Sequence, residues 1–183
     1  GGRAVCRTRA WVAGRLAWPG GACAERTSPG SDALNISRTG SATTNPTSST
    51  TKINAARGDL VQLNIGDASS STLSFMNNTL SNSNTNIVSG GGGVTITAGG
   101  GSSPHATLNF DIQHNTFRDS LGNAVGIGNA SGTNAMRGTF SNNTIGVAGV
   151  VNSGSAQGSD LSVAGVAGGS IQVTVEHNNV CQY

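Results

Sequence analysis

Leu73-Ser-Phe-Met-Asn-Asn-Thr-Leu80, Phe110-Asp-Ile-Gln-His-Asn-Thr-Phe117, Gly138-Thr-Phe-Ser-Asn-Asn-Thr-Ile145 and Val173-Thr-Val-Glu-His-Asn-Asn-Val180 are four copies of one pattern: apolar, x, apolar, x, Asn or His, Asn, Thr or Asn, apolar. The first four positions alternate with a period of two, which is how a half-buried strand reads. Polar residues then interrupt the alternation and a single apolar residue resumes it. Strand, sharp bend, strand is the reading that follows.

Asn78, Asn115, Asn143 and Asn178, the second Asn of each copy, are identical in all four and recur at spacings of 37, 28 and 35 residues. Asn tolerates left-handed backbone and bonds nearby backbone groups, so these positions are expected to form the bend. If the copies stack, the four amides lie above one another at roughly 4.8 Å and can bond as a ladder. Each interval carries another apolar element: Asn86 to Ser89 with Val94 to Thr97, then Ala124 to Ile127, then Leu161 to Val163. About three short strands therefore fall in each interval, with Gly90 to Gly93 and Asn152 to Gly158 expected as loops that absorb the length differences. The expected fold is all-β, a right-handed parallel β-helix of about four coils, because one coil cannot bury its apolar row alone.

Composition agrees with many short strands. The chain of 183 residues has 28 glycines and only 10% charged side chains, unusual for a compact mixed core. Residues 1–30 stand apart: five Arg against Glu25 give +4, and the segment holds Trp11, Trp18, Cys6 and Cys23 but none of the 19 Asn. They read as an atypical segment foreign to the repeat; a signal-peptide reading around Ala10 to Ala24 is interrupted by Arg15 and Pro19. Residues 31–183 are assigned to the β-helix, most clearly 70–183. Their five basic and seven acidic side chains give −2, with no clustered Lys or Arg to mark a nucleic-acid footprint. Three Cys without CxxC spacing form neither a zinc pattern nor a disulfide framework, and no apolar run is long enough for a helical membrane span.

The Asn-Asn-Thr-apolar punctuation, with Gly138 to Val151 followed by Ser153 to Gly158, and Val173 to Tyr183, resembles repeats of large secreted bacterial surface proteins built as right-handed β-helices, such as autotransporter passengers and adhesin-like proteins. The resemblance implies export to the cell surface or the outer-membrane exterior, further β-helix coils flanking these, and contact with a host surface or glycan. It also brings a second implication, that of a carbohydrate-active enzyme such as a polysaccharide lyase or hydrolase, which the carboxylates must satisfy. Asp111 and Glu176 are the best pair, yet the repeat register sets them roughly 12 Å apart, beyond the about 5–9.5 Å of glycosidase carboxylates. His114 and His177 share a register with Asn142 between them, roughly 10 Å apart, too far to share a metal. His105 reads as a loop residue. Arg57-Gly58-Asp59 spells an integrin tripeptide but precedes a strand-like Leu60-Val-Gln-Leu63. Asn35, Asn77, Asn129 and Asn142 begin glycosylation sequons, two of them inside the repeat itself. No catalytic residue, metal ligand or cofactor site is assigned, and the expectation is a structural scaffold for adhesion or recognition rather than an enzyme.

Overall fold

The structure, a computed structural model, describes residues 32–56, 58–83, 91–100, 102, 104–130, 132–166 and 168–181. The segment 1–30, with Cys6 and Cys23, lies outside the described residues, as do Arg57 and the apolar stretch Asn86 to Ser89. Among those described there is no helix, and so none long and apolar enough to cross a membrane.

The chain climbs through five coils. The first holds β1 (Leu34–Arg38), β2 (Thr43–Thr44), β3 (Thr47–Ser49) and β4 (Lys52–Ala56); the second holds β5 (Val61–Ile65), β6 (Ser70–Met76) and β7 (Thr79–Ser83). The third holds β8 (Val94–Ala98), β9 (Thr107–Gln113) and β10 (Thr116–Ser120). The fourth holds β11 (Val125–Asn129), β12 (Ala135–Ser141) and β13 (Thr144–Gly146), and the fifth β14 (Leu161–Ala164), β15 (Ser170–Glu176) and β16 (Asn179–Cys181). Corresponding strands of successive coils pair in parallel, giving one sheet β1-β5-β8-β11-β14, a second β2-β6-β9-β12-β15 with β3 beside β6, and a third β4-β7-β10-β13-β16. This is a right-handed parallel β-helix. The four motif copies mark four of its coils, and one more precedes them without the Asn signature.

The alternation read from sequence fills the interior. Val61, Leu63 and Ile65 of β5 stack on Val94, Ile96 and Ala98 of β8, while Leu73 and Phe75 stack on Phe110 and Ile112. Leu80, Phe117 and Ile145 form the corresponding column of the third sheet. All are buried. The rings of Phe117 and Phe140 stack with centroids 6.2 Å apart and an interplanar angle of 23°. The columns are continuous because each coil sets its side chains directly over those of the last.

At the bend between the second and third sheets the amides form an unbroken row. Asn115 Oδ1 accepts from the Asn78 backbone N–H at 2.8 Å and from Asn78 Nδ2 at 3.0 Å. Asn143 Oδ1 receives the same pair from Asn115 at 2.9 and 3.0 Å, and Asn178 Oδ1 the same pair from Asn143 at 2.9 and 3.0 Å. Each Nδ2 also donates backward to a carbonyl of the preceding coil: Asn78 to Ser48 O, Asn115 to Phe75 O, Asn143 to Ile112 O and Asn178 to Phe140 O. In the first coil Thr51 takes the place of Asn, and its N–H donates to Asn78 Oδ1 at 3.0 Å. An amide is the one side-chain group that both accepts these two bonds and donates two more. Asp would lose the donors and Ser the reach.

The expectation that these same Asn residues adopt the left-handed bend is corrected. Positive φ falls one residue earlier, at Asn77 (57°), His114 (55°), Asn142 (54°) and His177 (53°), and at Thr50 (52°) in the first coil. The duties are divided: the exposed first polar residue turns the backbone, and the buried second one bonds inward. Asn and His are among the non-glycine residues enriched in this region, which accounts for the His in two copies.

The glycine run is corrected too. Gly91, Gly92 and Gly93 were expected in a flexible loop, yet the last two are paired between coils: Leu60 N–H donates to Gly92 O, Val61 N–H to Gly93 O, and Gly93 N–H to Asn123 O. A Cβ on Gly92 would stand 2.5 Å from Asn123 O, and one on Gly93 2.3 Å from Ala124 O. Close backbone approach at this corner excludes any side chain.

Candidate recognition face

The outward residues of the second sheet form columns that run the length of the helix. Thr72, Asn109, Arg137 and Gln172 share one register position and are exposed. Ser74, Asp111, Thr139 and Thr174 share the next, and Ser70, Thr107, Ala135 and Ser170 flank them. Asn45 extends the first column into the first coil, its Oδ1 accepting from Thr72 N–H at 3.2 Å. Seven-residue strands stacked over four coils, with β2 and β3 carrying the sheet into the first, make a surface on the order of 20 Å in each direction. It is dense in hydroxyl and amide groups, with Arg137, Asp111 and Glu176 as its charges. The fold fixes these side chains in register because the alternate residues of the same strands are buried in the core.

Asp111 and Glu176 are not brought together. Asp111 pairs with Thr139, whereas Glu176 pairs with Ser141 and, through it, stands opposite Gln113. They are two coils and two residues apart, and Asp111 Oδ1 instead accepts from Gln113 Nε2. His114 and His177 are likewise separated by the coil that carries Asn142. His105 sits in the loop before β9, with its Nδ1 against Thr133 Oγ1. No group of three His, Cys, Asp or Glu side chains among the described residues is arranged to hold a metal.

Of the tripeptide, Gly58 and Asp59 are described, and Asp59 is engaged in the fold. Its Oδ1 accepts from Gly92 N–H at 2.6 Å while its own N–H donates to Asp32 Oδ1 at 2.9 Å. Asn123 Oδ1 repeats the arrangement by accepting from Ser159 N–H at 2.8 Å. This second capping row, Asp32, Asp59 and Asn123, closes the corner where each coil returns to the first sheet. Sequence reasoning missed it; the signal was an Asp or Asn followed by two apolar residues, broken where Gly92 stands. Among the sequons, Asn35, Asn77 and Asn142 are exposed and Asn129 is buried.

Among the described residues Asp160 is the one group whose ionisation is clearly perturbed. Burial raises its pKa above the ordinary carboxylate value, partly opposed by a backbone hydrogen bond from Ser155. It occupies the corner column of Leu60, Gly93 and Ala124, and its buried Oδ1 has no hydrogen-bond partner. A folded pKa above the unfolded one means the folded state binds the proton more tightly. The stability this group contributes is therefore fully present below its unfolded pKa and is lost as pH rises through the folded one. Asp160→Asn is expected to raise the urea midpoint at pH 7 and to abolish that share of the gain on acidification, as read by denaturation at a series of pH values. An unchanged pH profile would show that the carboxylate is as well solvated in the fold as in the unfolded chain.

No family model matches the chain, and neither a curated protein nor a solved structure matches it.

Proposed function

We propose that the chain is a structural scaffold of an exported bacterial surface protein, whose second-sheet face serves adhesion or recognition, with a host glycan as the favoured class of ligand. The observation that supports this reading most is the set of aligned outward columns, Thr72-Asn109-Arg137-Gln172 and Ser74-Asp111-Thr139-Thr174. Sugars are recognised by convergent neutral donors and acceptors together with a few charged groups, and this face repeats such groups at the coil spacing of about 4.8 Å. A solenoid also presents a long surface from short repeats, each of which contacts only its neighbours. The separation of Asp111 from Glu176 favours binding over hydrolysis.

Binding of the labelled protein to an immobilised glycan panel tests the reading. Retention of one glycan class is expected, with at least a tenfold loss for Arg137→Ala or Asn109→Ala and none for Thr95→Ala on the first sheet. Equal binding by all three variants would remove the face from the function. Steady release of reducing ends or unsaturated products from a polysaccharide would instead favour the carbohydrate-active enzyme.

A further inference from the structure

Arg137 is the one cation among the described outward residues of the second sheet, and no hydrogen bond or ion pair within the described residues engages it. Its neighbours in register are amides, Asn109 in the coil before and Gln172 in the coil after, each about 4.8 Å away along the stack. The outward position two residues earlier in the same strand is Ala135, set between Thr107 and Ser170. All six side chains are exposed. Ala135 is the smallest of its column, so it leaves a low place beside Arg137 with a hydroxyl on either side.

The carboxylates of this face lie in the other direction. Asp111 sits one coil back and two residues on, roughly 8 Å from Arg137 by register, and its Oδ1 already accepts from Gln113 Nε2. Glu176 sits one coil up and four residues on, roughly 14 Å away. An anion drawn to Arg137 is therefore repelled from the Asp111 side and settles toward Ala135. One cation against two carboxylates leaves the face at −1, which repels a densely charged polyanion and suits a ligand of sparse charge. Arg118, exposed on the third sheet, has no such surroundings: it pairs with Ser81 and is followed directly by the exposed Asp119.

We infer that the ligand of this face is a carboxylated saccharide, a uronic or sialic acid whose carboxylate seats on Arg137 above Ala135; the inference rests on the reading of the face as a glycan-binding surface. A guanidinium is planar, stays charged, and presents paired N–H donors that match the two oxygens of a carboxylate. The amides of Asn109 and Gln172 both donate and accept, as do the hydroxyls of Thr107 and Ser170, and sugar hydroxyls need both. A saccharide lying along the stack thus meets one charged contact with neutral polar groups before and after it.

Calorimetric titration of the 183-residue chain with matched probes tests the inference: oligogalacturonate against its methyl ester, sialyllactose against lactose, and a sulfated heparin oligosaccharide. The acid of one pair, which identifies the source, is expected to bind about tenfold or more tighter than its neutral partner. Arg137→Ala is expected to erase that preference, and Arg137→Lys to keep part of it, since the charge remains while the fork is lost. Arg118→Ala, an equal change of charge on another sheet, is expected to leave it intact. Ala135→Glu sets a carboxylate two residues from Arg137 on the same face and is expected to lose the acid as Arg137→Ala does. Each position is exposed, so unchanged circular dichroism is expected throughout. Equal binding of acid and neutral partner, with Asn109→Ala still weakening both, overturns the inference and leaves the glycan reading standing. Equal losses for Arg137→Ala and Arg118→Ala, or a preference for the sulfated oligosaccharide, overturn it as well. Binding of no saccharide overturns the reading and the inference together.

Discussion

Asn115→Ala is expected to lower the stability of the fold by about 3–5 kcal/mol, because a buried amide loses its bonds on both sides at once. Asn115 is 1% exposed. Truncation removes the acceptor for the Asn78 N–H and Nδ2 and the donor to Phe75 O and Asn143 Oδ1. The Asn78 Nδ2 keeps Ser48 O, and Asn143 Oδ1 would keep no bond from this coil except the N–H of residue 115. The orphaned N–H of residue 78 and the under-satisfied carbonyl of Phe75 each cost about 1–3 kcal/mol when water cannot reach them. Against a typical domain stability of about 5–15 kcal/mol this is a large fraction. Urea denaturation followed by circular dichroism reads it. Asn178→Ala provides the internal comparison: it lies in the last coil, is less buried, and is expected to cost clearly less. Equal losses at the two positions would mean that the row contributes no more than its individual bend bonds.

That comparison also bears on what a sequence of this kind reveals. The second-sheet strands were legible because Leu73/Phe75, Phe110/Ile112 and Val173/Val175 alternate with polar residues, and nothing but a strand uses that period. The division of labour at the bend was not, since Asn suits both the left-handed position and the ladder position. Only the His in two copies separates them: His fits a left-handed turn residue but lacks the amide's combined donor and acceptor. The first coil was legible only as part of residues 31–183 and not as a motif copy, because Ser48 stands where the next coil has Phe75 and Thr51 replaces Asn. The outward face of the second sheet was legible residue by residue, in the outward positions of each motif. Its alignment depends on loop lengths that vary by coil, and those are settled by pairing rather than by local pattern. The glycines misled for a related reason: nothing local to Gly91 to Gly93 distinguishes a mobile linker from a backbone pressed against the next coil.

Gly138→Ala is expected to be among the most damaging single-methyl additions to the chain, costing about 3 kcal/mol or more, at or above the usual range of about 1–3 kcal/mol for overpacking. Gly138 pairs with Phe110 on one side and Val173 on the other, at a position that is apolar in the neighbouring coils. An added Cβ would lie 2.4 Å from Phe110 Cδ2 and 2.5 Å from Cγ, and 2.2 Å from the backbone oxygen of Phe110. The glycine is therefore the partner of the Phe110 ring: the third coil projects a large side chain into space that the fourth leaves empty. Two parts of the clash separate in a double-mutant cycle. Phe110→Leu in the Gly138→Ala background removes the ring contact but leaves the backbone contact, so it is expected to restore part of the loss and not all of it. Full restoration would mean that the ring alone requires the glycine and that the parallel strands can ease apart far enough to carry the 2.2 Å backbone contact beyond 3.0 Å. No restoration would place the whole cost in the backbone, where β9 and β12 are held together by the same parallel pairing that aligns Asn109 with Arg137 on the outer face. The core glycine and the outer columns are thus consequences of one register, and a substitution that shifts the first is expected to disorder the second.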